Sequence, residues 1–212
     1  MGGATWGLLP WCLSWFLPWM GGCSPREPGV PDTGTTAASG SGPTAGRDET
    51  TGPRLPASLV DHTAWVPVEV ADDPVPNHRP SDVNCGVVGA YVEGTGYEID
   101  TGACNYCARQ QPSLVEIRAG DILSIAAFHD TLASIEAGQA HMALLLAGWP
   151  VWQEFIPIPA SPGVVDATPF SEEIVVNFDI PAGTPVVLHL HNHGYNTWTL
   201  LDVEVIPAEA VD

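Results

Sequence analysis

Lysine is absent from this chain. Its six basic side chains are all arginine and face 25 Asp and Glu, giving a formal charge of −19 over 212 residues. A field of that sign repels phosphate backbones, so nucleic-acid binding is disfavoured and no nucleic-acid partner is expected. Cations, basic peptides and neutral ligands such as sugars remain. Long unbroken apolar runs are missing too. Residues 1–22 carry no charged side chain and four of the eight Trp, but Pro10 and Pro18 cut them into pieces too short for a bilayer-spanning helix. Sustained helical periodicity is the third absence, since no window beyond Ala57 keeps a helical apolar repeat for the length a helix needs. Nucleophile elbows, phosphate-binding loops and paired-carboxylate motifs are lacking as well. The sequence therefore assigns no catalytic residue and leans away from an enzyme.

What is present begins with an address. The apolar stretch 1–22 ends in Gly21-Gly22 and is followed at once by Cys23-Ser24-Pro25-Arg26. A short apolar run ending in small residues has the form of an export signal. Small residues directly before a cysteine resemble the bacterial lipobox. That resemblance implies that Cys23 becomes the acylated N-terminus of a lipoprotein. Residues 24–56 are almost entirely Pro, Gly, Ser, Thr, Ala and charged residues. With no apolar face to bury, nothing offsets the entropy of ordering them, so 23–56 reads as a lipid-bearing cysteine followed by a flexible tether. The expected location is the bacterial cell envelope, lipid-anchored at the outer membrane or cell surface.

From Ala57 to Asp212 apolar runs alternate with Gly and Pro breakers. Strands are expected at 64–71, 87–92, 114–118, 121–129, 140–147, 151–156, 173–180, 185–193 and 197–206, with 131–140 as a short helix or a loop. Such a pattern predicts an all-β domain, a β-sandwich or jelly roll of about eight to nine strands. Two turns echo one another. Arg118-Ala119-Gly120-Asp121 and Pro181-Ala182-Gly183-Thr184 each feed a strand with histidine near its end, which we read as one turn solution used twice.

With Cys12 in the signal and Cys23 lipidated, Cys85, Cys104 and Cys107 remain, and export places them in an oxidising compartment. A Cys85–Cys104 disulfide enclosing a strand–turn–strand segment is preferred. A Cys104–Cys107 redox pair is the alternative, and either choice leaves one thiol over.

The densest chemistry lies in Pro181–Ile206, PAGTPVVLHLHNHGYNTWTLLDVEVI, which reads as two strands around a Gly194-Tyr195-Asn196 turn. Side chains alternate along a strand, so His189, His191 and His193 share one face while Leu188 and Leu190 take the core face. Residues two apart stand about 6.7 Å apart, within reach of one metal from two imidazoles; His189 and His193 are too far apart to share it. A metal site would then use His191 with one neighbour and ligands from elsewhere, His129 and His141 being the available imidazoles. A divalent transition metal is the cofactor class such a set would take. On the second strand the apolar phase changes between Leu200 and Leu201, which predicts a β-bulge. If the two strands pair, His189 falls opposite Asp202.

Gly183, five residues and His189-Leu190-His191 resemble the first half of the first cupin motif, which implies two metal-binding histidines. The run AGTPVVLHLHNHGYNTWTL resembles the strand–Asn–Gly turn of cupredoxins. The final hairpin is similar to that of secreted β-sandwich modules, carbohydrate-binding ones among them. The last resemblance implies sugar contacts from Tyr195, Asn196, Trp149 and Trp152. The preferred function is thus a surface-anchored, non-catalytic, ligand-binding sandwich with a membrane anchor and an extracellular glycan or envelope protein as partner. A metal-binding or metal-dependent sandwich using the histidine strand is the first alternative, and a structural envelope lipoprotein the second.

Overall fold

The computed structural model describes residues 53–210. The signal stretch, Cys23 and the tether as far as residue 52 lie outside the described residues. Among those described, no helix is long and apolar enough to cross a membrane.

The described chain forms strands β1 Ala57–Ser58, β2 Val66–Pro67, β3 Ala90–Glu93, β4 Gly96–Asp100, β5 Tyr106–Pro112, β6 Ile122–His129, β7 Leu132–Ala133, β8 Gly138–Leu146, β9 Trp149–Ile158, β10 Val164–Val165, β11 Thr168–Val175, β12 Pro185–His191 and β13 Thr197–Ile206. Short 3-10 turns lie at Val70–Asp72, Pro76–His78 and Ala208–Ala210. One sheet runs β11-β6-β13-β4-β3, with β1 also on β13; the other runs β2-β5-β12-β8-β9, and all the pairings are antiparallel. From β4 onward the chain switches sheets at nearly every connection, the β8–β9 hairpin being the exception. Within these six- and five-stranded sheets, the runs β11-β6-β13-β4 and β5-β12-β8-β9 have the strand order of a jelly-roll sandwich.

The core lies between the sheets. Leu123, Ile125 and Ala127 of β6 and Trp198, Leu200, Val203 and Val205 of β13 meet Met142, Leu144 and Leu146 of β8 and Val186, Leu188 and Leu190 of β12. β6 alternates strictly between buried and half-buried residues, as a strand covered on one face should. β13 keeps its apolar residues inward across the expected bulge, because the register on β6 shifts between Leu200 and Asp202. The outer edges are blunted by Pro150 and Pro157 on β9 and by Glu172 and Glu173 on β11.

β8 is buried along most of its length on both faces. The outer face of its sheet is roofed by a strap, Val68–Arg79. Val68 and Val75 of the strap pack against Tyr106, Ala108, Ala143, Leu145 and Val187 in a second, smaller apolar cluster. The strap is tied at its start by the Val68 N–H donating to the Ala108 carbonyl at 3.0 Å.

Several expectations are corrected. β12 and β13 do not pair: β12 lies between β5 and β8, β13 between β6 and β4, so the Gly194–Asn196 turn is an arch between sheets. His189 accordingly faces Ala108 and Ala143, and Asp202 faces Ala126. Residues 64–71 hold only a two-residue strand before the strap, and 114–118 form no strand but an isolated Ile117–Ile180 bridge. The strand expected at 173–180 lies instead at Thr168–Val175, because its partner β6 starts at Ile122, opposite Val175; beyond that the contact continues irregularly, through Val176 on Asp121 and Ile180 on Ile117. β4 and β5 lie where no strand is expected, because Glu98, Asp100, Arg109, Gln110 and Gln111 give them the polarity of loop. The stretch 131–140 has no helix; it holds β7 and the start of β8.

The disulfide is Cys85–Cys104, enclosing the β3–β4 hairpin, and Cys107 is a buried free thiol. Burial pushes the Cys107 thiol up to about 12, so it stays protonated and inert.

Candidate metal centre

Under the strap, three imidazoles converge. His141 on β8 and His189 on β12 project from the outer face of the sheet, and His78 comes down from the strap. The three offer one ring nitrogen each within 4.8 Å of one another. His78 Nδ1 lies 3.2 Å from His141 Nδ1 and 3.3 Å from His189 Nε2. Imidazoles bound to one ion at about 2.05 Å in tetrahedral geometry place their nitrogens about 3.3 Å apart. A ring nitrogen offers one proton or one lone pair, so His78 Nδ1 makes one good hydrogen bond, not two. A cation receiving all three lone pairs satisfies the set.

The surroundings fix these rings. His141 Nε2 donates to Gln153 Oε1 at 3.3 Å, which leaves Nδ1 as the free lone pair. Phe155 stacks on the His141 ring, 4.0 Å between centroids and 3° from parallel. His189, 0% exposed, is held by packing against Tyr106 at 5.2 Å, its Nδ1 having no hydrogen-bond partner among the described residues.

His78 is positioned through the buried Asp73. The Asp73 carboxylate accepts from the Tyr106 hydroxyl at 2.6 Å, Arg79 Nη1 at 2.9 Å and the Val75 N–H at 2.9 Å. Burial pushes this carboxyl up, but the donors from Tyr106, Arg79 and Val75 outweigh it and hold Asp73 below the ordinary carboxylate range. Arg79 also sits over the Tyr106 ring, 5.4 Å from its centroid. Strap and sheet are thereby locked together on either side of His78.

Burial disfavours charge on the sheet-borne rings. Burial first, then the neighbouring His141 and His78, push His189 down to about 3. His141 is lowered by burial and by His78, and His191 by burial and by His193, His78 and His141. Neutral imidazoles are the metal-binding form. An all-nitrogen set without thiolate suits zinc, copper, cobalt or nickel rather than magnesium or calcium. Three protein ligands leave a fourth position for water or an exogenous ligand.

The expected site residues divide. His141 and His189 meet in the centre, and His191 stands next to it, 5.2 Å from His78 between ring centroids. His193 is exposed and neighbours His191 at 5.1 Å. His129 is elsewhere. It belongs to β6, buried against Trp198 and Phe170, with Nδ1 donating to the Asp130 carbonyl at 2.7 Å. His78 was missed: between Pro76 and Pro80 it has the look of loop, and nothing in its spacing ties it to strands over sixty residues away. Cys85, Cys104 and Cys107 also cluster, but the disulfide takes two of those sulfurs out of metal chemistry.

The aromatic candidates do not form one surface. Trp152 is 6% exposed in the core, and Asn196 is 4% exposed, bracing its loop by accepting from the Ala133 N–H and donating to the His193 carbonyl. Trp149 and Tyr195 are exposed but lie at opposite ends of the sandwich, since Trp149 pairs near the Val186 end of β12 and Tyr195 follows its His191 end. Tyr195 borders a cleft of about 750 Å³, lined also by Thr101, Glu136, Ser161, Asn192 and His193.

No family model matches the chain, and no curated protein does. Solved structures similar to it include an arabinose-bound GH51 α-L-arabinofuranosidase (9% identity, TM-score 0.39, covering 73% of this chain and 28% of that one). A CBM4 structure (15% identity, TM-score 0.34, 61% of this chain and 77% of that one) and a family 16 carbohydrate-binding module (9%, 0.34, 59% and 85%) are also similar. The chain spans under a third of the arabinofuranosidase. Likeness at this level says nothing of what this chain binds.

Proposed function

We propose that this is a metal-binding jelly-roll domain in which His78, His141 and His189 hold one divalent transition ion. It would be carried on a tether from lipid-modified Cys23 at the bacterial cell envelope. The observation that carries the reading is the approach of three ring nitrogens at the junction of strap and sheet, His78 Nδ1 lying 3.2 Å from His141 Nδ1 and 3.3 Å from His189 Nε2. The acidic field of the chain favours cation capture. The test is elemental mass spectrometry of the untagged full chain. One equivalent of Zn, Cu, Co or Ni per chain is expected, falling below about a tenth in His189→Gln. Protein that neither carries nor takes up such an ion would sink the reading.

A second reading rests on the cleft beside Tyr195, whose exposed ring and neighbouring Thr101, Ser161 and Asn192 have the chemistry of a non-catalytic glycan site. Binding on a glycan array that is lost in Tyr195→Ala supports it; an empty array removes it.

A further inference from the structure

The strap that completes the centre also covers it, so an ion has to reach His141 and His189 from somewhere. His191 on the same face of β12 and His193 in the bend that follows it stand outside the three-nitrogen set, and exposure grades outward. His189 is fully buried, His191 is half-buried and His193 is exposed. We propose that His191 and His193 form a second, shallower site for a divalent transition ion at the mouth of the buried centre, handing the ion inward through His78. The assignment rests on the three-histidine reading above.

Geometry supports each step. Two imidazoles sharing one tetrahedral ion at ordinary bond lengths have ring centroids about 5 Å apart. The His193–His191 pair is 5.1 Å apart and His191–His78 is 5.2 Å. Within the centre, His78–His141 and His141–His189 are both 5.0 Å and His78–His189 is 5.5 Å. Every link in the chain from surface to interior is thus close to the spacing at which an ion is held between neighbours. His78 is common to the last two steps.

Although exposed, His193 is seated. It packs on Gly138, where a Cβ would come within 2.6 Å of the His193 Cβ and Cγ, so only glycine leaves room for the ring. It opens on the 750 Å³ cleft, whose wall includes Glu136, a carboxylate on the approach of a hydrated cation. Two imidazoles alone make a weaker site than three, which is what a transfer point requires: it captures an ion and releases it.

The experiment uses the metal-free full chain mixed with Co2+, following the visible d–d absorption by stopped flow and counting equivalents by titration. Wild-type protein is expected to show one tight and one weak equivalent. His193→Ala and His193→Gln should lose the weak equivalent and load the tight one at least tenfold more slowly. Loading at the wild-type rate in both variants overturns the transfer site while leaving the three-histidine centre standing. Loss of the tight ion in His191→Ala also overturns it, because His191 would then be a ligand of the centre. A wild-type chain that takes up no Co2+ removes both readings together.

Discussion

β6 and β12 enter the sandwich through the same turn. Asp121 N–H donates to the Arg118 carbonyl and Thr184 N–H to the Pro181 carbonyl, with Gly120 at φ +98° and Gly183 at φ +85°. Each strand then carries a histidine toward its far end, and the two fates differ. His129 is in phase with Leu123, Ile125 and Ala127, so it points into the core and becomes a packed ring beside Trp198. His189 and His191 are out of phase with Leu188 and Leu190, so they point away from the core. Among the described residues, the outer face of the β12 sheet is roofed by a strap, and that strap delivers a third imidazole. A buried histidine is therefore not in itself a site; it becomes one when a second element brings lone pairs to the same point.

The sharpest way to break this comparison is to truncate each histidine in turn. His189→Ala should lower metal affinity by a factor of about 10³ or more, while His129→Ala keeps the ion and loses only stability; both are read by metal titration alongside urea unfolding. Equal metal loss in the two variants would erase the distinction. Next in size is the clamp. Asp73→Asn should weaken metal binding about 10- to 100-fold, as loss of ligand-orienting partners does. It should also cost about 1–3 kcal/mol by leaving Tyr106 and Arg79 poorly paired, measured by calorimetry and denaturation.

The pH dependence sharpens the contrast further in metal-free protein. An unfolded histidine takes up its proton near pH 6.5, whereas His189 in the fold resists to about 3. Between those values the unfolded chain binds more protons. The stabilisation is thus full above about pH 6.5 and is lost as pH falls toward 3, at no more than about 1.4 kcal/mol per pH unit. Urea midpoints at pH 7.5 and 4.5 should fall more for wild type than for His189→Leu. Smallest is the turn. Gly120→Ala and Gly183→Ala should each cost about 1 kcal/mol, because both need a left-handed backbone. Similar melting shifts in the two variants would confirm one turn used twice; very unequal ones would show that the resemblance stops at the sequence.

Much of this fold could be read locally. The alternation in Ile122–His129, the apolar phase of Val186, Leu188 and Leu190, and the phase change at Leu200–Leu201 are period-2 signals, and a strand with one face on the core must express them. The Cys85–Cys104 disulfide was legible for a related reason: it brackets one hairpin. β4 and β5 were illegible because their polar residues find partners that the local pattern cannot show, as when Gln111 bonds both to the Asp61 N–H and to its carbonyl.

Sequence alone determined the all-β architecture, the acidic charge and the shared face of His189 and His191, since alternation and charge are properties of neighbours along the chain; β12 ends at His191, so the expected strand face does not extend to His193. Tertiary structure decided which histidines meet. In a jelly roll most consecutive strands fall in opposite sheets, so the partners of β12 are β5 and β8, far off in the sequence. Whether an outward face stays wet or becomes a buried centre then depends on a strap more than a hundred residues upstream. Asp73, Tyr106 and Arg79 bring that strap down, and with it His78.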